Sequence, residues 1–488
     1  MLSHIGCRTL RRPRDSVGRL AATQSIRTKT SWVQRLTTIV GRLFVGTDNV
    51  DPKRVLERRY LYFGMIALRV REKRNDVNFS HLTMSELRQS VVGELDSEGI
   101  EKLSNGSLRG TFLEELTPQV EDVLQSFLKV DKKLFGEEAM STIDSEKPLL
   151  SVPHSPLDLV DVESLKEILR EEDATTLEDL VNLRQEADLN MDTDEKEQIP
   201  LRRLRKQYLQ SKHAAIQILL DFHGIPVESS IQTEDSNDHE LDIFGIEKDS
   251  QVDTDLLRNY QTINICRSAL IRRELGYSLL CLRSSLNKNA GRGAFVDGKC
   301  QMGDLVAFQP GEIWPAEFLD NSPDVIEHFN DEVDECMTSL RFDDYLLDSR
   351  ISPVTVLTQA GSFNPWALGH MINHPDKGFW PNCQSLMVDF EDSLPEEIVR
   401  YIPNSFAREG TWKTNVFGNR LQVLMPGICL LARRDCSNEE LYYDYRLQSS
   451  VDLPEWYTPV IYNDDFMDKT RTVFFNENDK KMQVKDIE

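Results

Sequence analysis

The sequence predicts an α+β protein in which a mostly helical N-terminal region precedes a β-rich domain. Three observations predict this division. Residues 48–226 carry apolar side chains at helical spacing, most clearly over residues 201–223, where a glycine and a proline follow as a helix stop. Residues 227–258 are acidic and nearly devoid of aromatic side chains, which is typical of a disordered linker at a domain boundary. From Gly291 onward, short apolar segments alternate with Gly, Pro, Asn and Asp, which indicates β-strands.

The elements follow in order along the chain. The helical region includes a predicted helix at residues 60–70 and, at the acidic and polar residues 186–197, a predicted loop. In the β-rich part we predict strands at residues 293–296, 305–308, 385–390 and 421–425. We expect turns at residues 299–304 and 310–311, and helical segments around residues 324–340.

The composition restricts the kinds of partner that the chain can bind. It has 488 residues, of which 40% are hydrophobic, and a formal net charge of −24. Because a protein this acidic repels phosphate groups, we expect no direct binding to DNA or RNA. The charge suits a basic, lysine-containing protein segment as partner. The alternative is that the acidic residues only keep the chain in solution.

The sequence predicts neither a metal site nor a membrane span. Its eight cysteines are scattered and form no Cys-x-x-Cys pair, so we expect reduced, mostly buried thiols. His370 and His374 have a spacing that can ligate a metal on a helix, but Met371 stands where a zinc protease requires Glu. No histidine follows His374, and no apolar run is long enough to cross a bilayer.

Residues 1–47 differ in composition from the rest of the chain. They contain nine arginines and lysines against a single acid, Asp15, and many serines and threonines. This composition is typical of an organellar transit peptide and predicts a mitochondrial location. The alternative is a basic amphipathic helix that packs on the protein, with a nuclear or cytoplasmic location.

A glycine-rich segment, Gly291, Arg292, Gly293 and Ala294, lies where a loop enters a predicted strand. Glycines at such a point let the backbone approach a ligand and present N–H groups to it. The segment is not a dinucleotide-binding fingerprint, because a third glycine and a following helix are missing. Taken alone, it is equally consistent with a tight turn.

Two further segments carry polar residues suited to a binding site. Asn373 and His374 are followed by Pro381, Asn382 and Cys383, an Asn-His pair that can offer both donors and acceptors to a ligand. The last segment, residues 438–445, reads Asn-Glu-Glu-Leu-Tyr-Tyr-Asp-Tyr. Its asparagine is a residue type that tolerates positive φ. The alternative for the last segment is a tyrosine-rich edge strand.

Together and in this order, the three segments resemble the motif set of the SET-domain methyltransferases. Residues 275–278, 395–404 and 432–435 look like those of the SET domain-containing protein nine group, and the resemblance covers residues 275–446. It implies a SET fold of small curved sheets, with the last motif threaded beneath a loop. It also implies methyl transfer from S-adenosyl-L-methionine to a lysine of a protein substrate.

The resemblance assigns roles to individual residues. It implies contact with S-adenosyl-L-methionine for Gly291, Arg292, Gly293, Ala294, Asn373, His374 and Tyr445. In the family, the asparagine side chain and the histidine backbone hold the cofactor. Tyr445 is implied to be the active-site tyrosine that orients the amine, and Tyr443 to be the aromatic residue that tunes the number of methyl groups added.

Two departures from the family pattern leave alternatives open. Gln309 stands where many members have a tyrosine that lines the lysine channel, and residues 376–380 are an insertion between the two halves of the second motif. The chain could therefore be an enzyme with a non-lysine acceptor, or a catalytically inactive SET-fold module that binds peptide as a scaffold.

The predicted organisation has five segments. They are a basic transit-like segment (1–47), a helical region (48–226), an acidic linker (227–258), a SET domain (259–448) and a C-terminal tail (449–488). The tail contains Trp456 and Tyr457, which either cover the cofactor or the peptide or belong to ordinary packing.

Overall fold

The computed structural model describes residues 107–137, 140, 160–189, 199–226, 254–286, 290–315, 338–341, 345–351, 364–376, 379–406, 423–445, 456–458 and 460. Several predicted features lie outside these residues. They are the transit-like segment 1–47, the helix predicted at residues 60–70, most of the linker 227–258 and most of the tail 449–488.

In the described part of the chain, four long helices precede the strands. They are α1 (Ser107–Phe135), α2 (Val162–Leu189), α3 (Ile199–Phe222) and α4 (Thr254–Leu275). Helix α3 ends as the sequence predicts, because Gly224 adopts φ +72° and the Ile225 N–H donates to the Leu220 carbonyl at 2.9 Å.

Two predictions about the helix ends were wrong. Residues 186–189, predicted to be loop, form the last turn of α2, and residues 254–258, assigned to the linker, form the first turn of α4. A polar composition does not distinguish a loop from a helical turn that faces solvent. Acidic residues also suit the first turn of a helix, where Asp255 of α4 lies, because they complement the helix dipole.

Among the described residues, ten strands form three small sheets, and one short α-helix, α5 (Glu396–Val399), lies among them. The first sheet has the order β1 (Tyr277–Arg283), β2 (Arg292–Cys300), β10 (Cys436–Glu440). The second has the order β3 (Leu305–Gln309), β9 (Val423–Ala432), β7 (Cys383–Glu391). The third has the order β5 (Thr338–Arg341), β6 (Tyr345–Asp348), β4 (Gly311–Pro315), β8 (Asn404–Phe406). All neighbouring strands are antiparallel except β4 and β8, so the described chain is an α+β protein.

Most strand predictions were confirmed. Residues 293–296, 305–308 and 385–390 lie in β2, β3 and β7, and the described part of 421–425 lies in β9. The helical prediction was wrong at residues 338–340, which belong to β5. This strand pairs with β6 in the register Thr338↔Asp348, and such a tertiary pairing overrides a local helical pattern.

The helices share one hydrophobic core with the first two sheets, and apolar residues of the third sheet form a separate cluster with Ile428 of β9. Phe127 of α1 makes an edge contact with Trp366, with ring centroids 5.2 Å apart. Tyr208 of α3 stacks on Phe295 of β2 at 5.1 Å. All four rings are buried, and burying a large apolar side chain contributes about 1.5–3 kcal/mol. The helical layer therefore supports the strands that carry the glycine-rich segment.

A buried ionic network also ties three helices to β2. Lys212 of α3 pairs with Glu172 of α2 and, at 2.7 Å, with Asp297 of β2. Arg272 of α4 reaches the same two carboxylates at 2.8 and 3.3 Å. Burial raises the pKa of Asp297, but Lys212 and Arg272 outweigh burial, so that its pKa lies below the ordinary value. The network fixes β2 relative to the helices.

Candidate functional site

The three sequence motifs meet in space. Asn373, which follows a 3-10 helix at Gly369–Met371, donates from Nδ2 to the carbonyl of Arg292 at 2.9 Å. The backbone N–H of Leu441 donates to the carbonyl of Ala294 at 2.8 Å, and that of Tyr443 to the carbonyl of Asn373 at 3.1 Å. The glycine-rich segment, the Asn-His pair and the last motif thus form one cluster, as the sequence predicts.

The two glycines of the first motif differ in their surroundings. Gly291 has φ +65°, and a Cβ placed on it would meet nothing within 4 Å. Gly293 has no such space, because a Cβ there would lie 2.2 Å from Oε1 of Glu440. Position 293 must therefore be glycine for an internal reason, the approach of Glu440, whether or not a ligand also approaches it.

Asn382 holds the last motif in place, a role that could not be predicted from its position in the second motif. Its side chain is fully buried, donates from Nδ2 to the Glu440 carbonyl at 2.8 Å and accepts at Oδ1 from the Tyr442 N–H at 2.7 Å. The N–H groups of Asn382 and Cys383 both donate to the Tyr442 carbonyl, at 3.0 and 3.1 Å. A buried amide with all these bonds fixes both chain segments.

The conformation of the last motif depends on Asn438. It has φ 48°, and among the described residues it is the one non-glycine residue with positive φ. The pairing of β10 with β2 shifts register between Ser437 and Glu439, and Asn438 Oδ1 accepts from the Gly298 N–H at 2.8 Å. The left-handed asparagine thus forms a bulge that re-aims the following glutamates, and the expectation of positive φ was confirmed.

Both ring nitrogens of His374 form hydrogen bonds within the protein. Its Nδ1 accepts from the Tyr445 N–H at 3.3 Å, so that Nε2 carries the proton and donates to the Thr458 carbonyl at 2.7 Å. Burial lowers the pKa of His374, and the Thr458 carbonyl only partly opposes this effect. The ring of Tyr457 lies 4.4 Å from it. A ligand can therefore reach neither ring nitrogen without breaking one of these bonds.

Aromatic side chains surround the end of the last motif. The hydroxyl of Tyr445 donates to the Ile372 carbonyl at 3.0 Å. The ring of Tyr443 lies 4.9 Å from that of Tyr445, and the ring of Trp456 lies 6.3 Å away at 87°. Trp456 is 50% exposed, so this aromatic cluster reaches the surface. A phenol that donates its proton keeps acceptor capacity on its oxygen.

His370 is the most unusual polar group near the motifs. Both of its ring nitrogens are buried and have no hydrogen-bond partner among the described residues. Burial, and after it the guanidinium of Arg292, lowers the pKa of His370 to about 4. The imidazole is therefore neutral near pH 7, with one donor and one acceptor available. In the sequence, His370 stands out only as a potential metal ligand, four residues before His374.

Gln309 is packed inside the protein. It is 2% exposed, and its Nε2 donates to the hydroxyl of Ser349 at 2.8 Å. A Cβ placed on Gly369 would lie 2.5 Å from Oε1 of Gln309, so this side chain fills the space beside the 3-10 helix. The neighbouring residues at this position therefore match both the size and the hydrogen-bonding groups of glutamine.

The insertion at 376–380 is a turn where the structure describes it. The Phe379 N–H donates to the Asp376 carbonyl at 2.9 Å, and the ring of Phe379 lies 6.0 Å from that of Tyr442. Cys383, just beyond the insertion, is buried with Sγ 3.2 Å from the Tyr442 carbonyl, and burial raises the pKa of its thiol. The insertion therefore packs on the last motif without separating the two halves of the second.

The part of the chain that the structure describes contains neither a metal-binding cluster nor a membrane-spanning helix. No group of three or more His, Cys, Asp or Glu side chains there could hold a metal ion. None of the helices there combines the length and apolar character needed to cross a membrane.

Comparisons with known proteins add little to the geometry. The chain matches no protein-family model and no curated protein. Among solved structures it is similar to CpSET8 from Cryptosporidium, with 15% identity and a TM-score of 0.21, over 51% of this chain and 98% of that chain. A TM-score this low carries no argument about fold or function.

Proposed function

We propose that the β-rich part of this chain is a SET-type methyltransferase domain, of the SET domain-containing protein nine kind. In this proposal the last motif is threaded beneath a loop, and the reaction transfers a methyl group from S-adenosyl-L-methionine to a lysine of a protein substrate. The observation that carries the proposal is the meeting of the three motifs. The bonds from Asn373 to Arg292 and from Tyr443 to Asn373, at 2.9 and 3.1 Å, bring them together.

The polar groups of the site fit the proposed cofactor. Neither ring nitrogen of His370 has a partner among the described residues, so a polar ligand could supply one; leaving such buried groups unpaired costs about 1–3 kcal/mol each. The open space at Gly291, together with its positive φ, lets the backbone approach a ligand. We assign cofactor contact to Gly291, Arg292, Gly293 and Ala294 through backbone atoms. To these we add the side chain of Asn373, the backbone of His374, and Tyr445.

The chemistry demands alignment more than acid or base strength. When bound, S-adenosyl-L-methionine would supply a methyl group on a cationic sulfonium; a neutral amine in line with the C–S bond would take the methyl group, and the sulfur would leave as the neutral thioether. The protein's part is to orient the amine, exclude water and let the lysine lose its proton. We assign orientation of the amine to the hydroxyl of Tyr445, which the Ile372 carbonyl holds at 3.0 Å. Tyr443, whose ring lies 4.9 Å from that of Tyr445, would limit the number of methyl groups added.

One observation favours a second candidate, a catalytically inactive module that binds a protein segment as a scaffold. Gln309, which stands where a channel tyrosine is expected, is buried and bonded to Ser349 at 2.8 Å. An enzyme with a non-lysine acceptor is the third candidate and rests on the same residue. Both alternatives keep the proposed fold. The scaffold transfers no methyl group, and the third candidate transfers it to a side chain other than lysine.

The test is transfer of a radiolabelled methyl group from S-adenosyl-L-methionine to proteins of an extract, catalysed by the full chain. We expect Tyr445→Phe and Asn373→Ala to abolish the labelling. The matched control is Tyr277→Phe, which removes a hydroxyl bonded to the Leu305 carbonyl at 2.7 Å outside the motif cluster. Labelling that persists in both site variants would refute the enzyme.

Two further measurements separate the candidates. Mass spectrometry of the labelled residues distinguishes lysine from another acceptor. Calorimetry with S-adenosyl-L-methionine distinguishes the enzyme from the scaffold, because a scaffold that does not use the cofactor releases no heat of binding.

We also propose that residues 1–47 direct the protein to mitochondria, where its substrate would be an organellar protein. The support is the excess of arginine and lysine over acid in that segment. A fusion of these residues to a fluorescent reporter tests this. Diffuse cytosolic or nuclear fluorescence would restore the nucleus or cytoplasm as the location.

A further inference from the structure

Glu440 is a buried carboxylate at the point where the motifs meet. Its side chain is 2% exposed and receives five hydrogen bonds. Oε1 accepts from the Ser284 hydroxyl at 2.7 Å and from Asn373 Nδ2 at 3.0 Å. Oε2 accepts from the N–H and the hydroxyl of Ser285, at 2.9 and 2.6 Å, and from the Tyr442 hydroxyl at 3.2 Å. Five donors compensate the loss of water around a buried charge.

The amide of Asn373 has one orientation that satisfies its neighbours. Its Nδ2 group faces two acceptors, the Arg292 carbonyl at 2.9 Å and Glu440 Oε1 at 3.0 Å. If the amide were flipped, its oxygen would face both of these oxygens and both bonds would be lost. In the observed orientation, Oδ1 accepts no hydrogen bond from any residue that the structure describes. Oδ1 is therefore the atom that Asn373 offers to a ligand.

We propose that Glu440 is a positioning residue, which fixes the amide of Asn373 so that its oxygen faces the ligand. The ligand group that meets Asn373 is then an N–H or O–H donor. The identity of the ligand rests on the proposed function. S-adenosyl-L-methionine meets the requirement, since both its α-ammonium and its adenine amino group carry N–H donors.

The charge of Glu440, and not only its shape, is required. In Glu440→Gln, the backbone N–H of Ser285 can only donate, so the new amide oxygen stays opposite it. The new NH2 group then faces Nδ2 of Asn373, donor against donor. Either this bond is lost, or Asn373 flips and turns its oxygen against the Arg292 carbonyl. The first outcome leaves the amide of Asn373 held by the Arg292 carbonyl alone, and the second turns Nδ2 instead of Oδ1 toward the ligand.

The first test needs no ligand. Thermal unfolding of the full chain is compared for Glu440→Gln, Asn373→Asp and the double variant. Asn373→Asp places two carboxylates together, and the added Glu440→Gln gives that new carboxylate a donor. We expect each single variant to lower the unfolding temperature, and the double variant to unfold at a higher temperature than the summed losses predict. Strictly additive losses would overturn the proposal.

The second test measures affinity for S-adenosyl-L-methionine by calorimetry. We expect Glu440→Gln to weaken binding at least about tenfold, the worth of about one hydrogen bond to a charged or oriented group. The matched control is Glu439→Gln, because Glu439 bonds Arg434 at 2.8 and 2.6 Å and does not contact Asn373. It should change affinity by less than about threefold. Equal weakening in both variants would assign Glu440 a merely structural role.

Where Glu440→Gln does not fold, Glu440→Asp replaces it. The shorter carboxylate keeps its charge but cannot reach Ser285 and Asn373 together, so the same loss of affinity is expected. The two proposals fail separately. Coupling in the unfolding experiment without binding of S-adenosyl-L-methionine by the wild type refutes the proposed function alone. Binding that is unaffected in Glu440→Gln, with additive unfolding losses, refutes the positioning role alone.

Discussion

Gly293 and Glu440 occupy adjoining space so tightly that no side chain fits between them. A Cβ at position 293 would lie 2.2 Å from Oε1 and 2.8 Å from Cδ of Glu440, and 3.3 Å from Nδ2 of Asn373. These three residues come from the three separate motifs. The contact explains why the strand that begins the site needs glycine at this position, independently of any ligand.

The first prediction follows from this contact. Gly293→Ala should lower the free energy of unfolding by about 2–3 kcal/mol, because the methyl group must displace a carboxylate that holds five hydrogen bonds. Denaturant unfolding measures this. The control is Gly136→Ala, where φ is +85° but a Cβ meets nothing within 4 Å. It should cost about 1 kcal/mol from backbone strain alone. Equal losses in the two variants would contradict the steric explanation.

The second prediction concerns the buried ionic network. Lys212→Met leaves Glu172 and Asp297 buried with Arg272 as their remaining described cation, and should destabilise the protein by about 3–5 kcal/mol. Lys129→Met removes an ion pair with Glu274 in which the lysine is 67% exposed, and should cost less than about 1 kcal/mol. Both are measured by denaturant unfolding at equal ionic strength, and similar losses would show that burial does not strengthen the network.

The third prediction is a pH dependence that arises at His370. Its pKa is about 4 in the folded protein and about 6.5 in the unfolded chain, so the unfolded chain binds the extra proton between these values. Stability is therefore complete above about pH 6.5 and is lost as the pH falls toward about 4. Between about pH 7.5 and pH 5, the wild type should lose about 2 kcal/mol more than His370→Phe.

The comparison with His370→Phe isolates one group. The pKa of His374 is also lowered by burial, and it acts in the same direction in both proteins, so its contribution cancels. Unfolding free energies at the two pH values measure the effect. If the wild type and the variant respond to pH in parallel, His370 is not the group responsible.

The fourth prediction concerns Gln309. Gln309→Tyr puts a larger ring into a space bounded by Ser349 and Gly369, and should destabilise the protein by about 1–3 kcal/mol instead of adding a channel tyrosine. Gln309→Met keeps the approximate volume and loses only the bond to Ser349, at a cost of about 1 kcal/mol. A tyrosine variant as stable as the wild type would show that the position opens into a channel.

The sequence by itself determined the local features of this protein. The apolar spacing and the glycine stop placed α3 correctly, because helix periodicity and the left-handed conformation of Gly224 are local properties. The short apolar segments placed β2, β3 and β7 for the same reason. The motifs also marked segments that meet in space, and the asparagine at position 438 indicated a tolerance of positive φ, which the structure shows there.

The tertiary structure alone decided which side chains form hydrogen bonds with one another. The Ser284 hydroxyl bonds a carboxylate 156 residues away, and Asn373 bonds the same carboxylate across 67 residues. Neither separation leaves a periodic signal in the sequence, because a hydrogen bond between side chains depends on where the strands bring them. The burial of His370 and of Gln309 has the same origin. Local sequence fixes backbone conformation, whereas partners, burial and therefore pKa arise only when distant segments pack together.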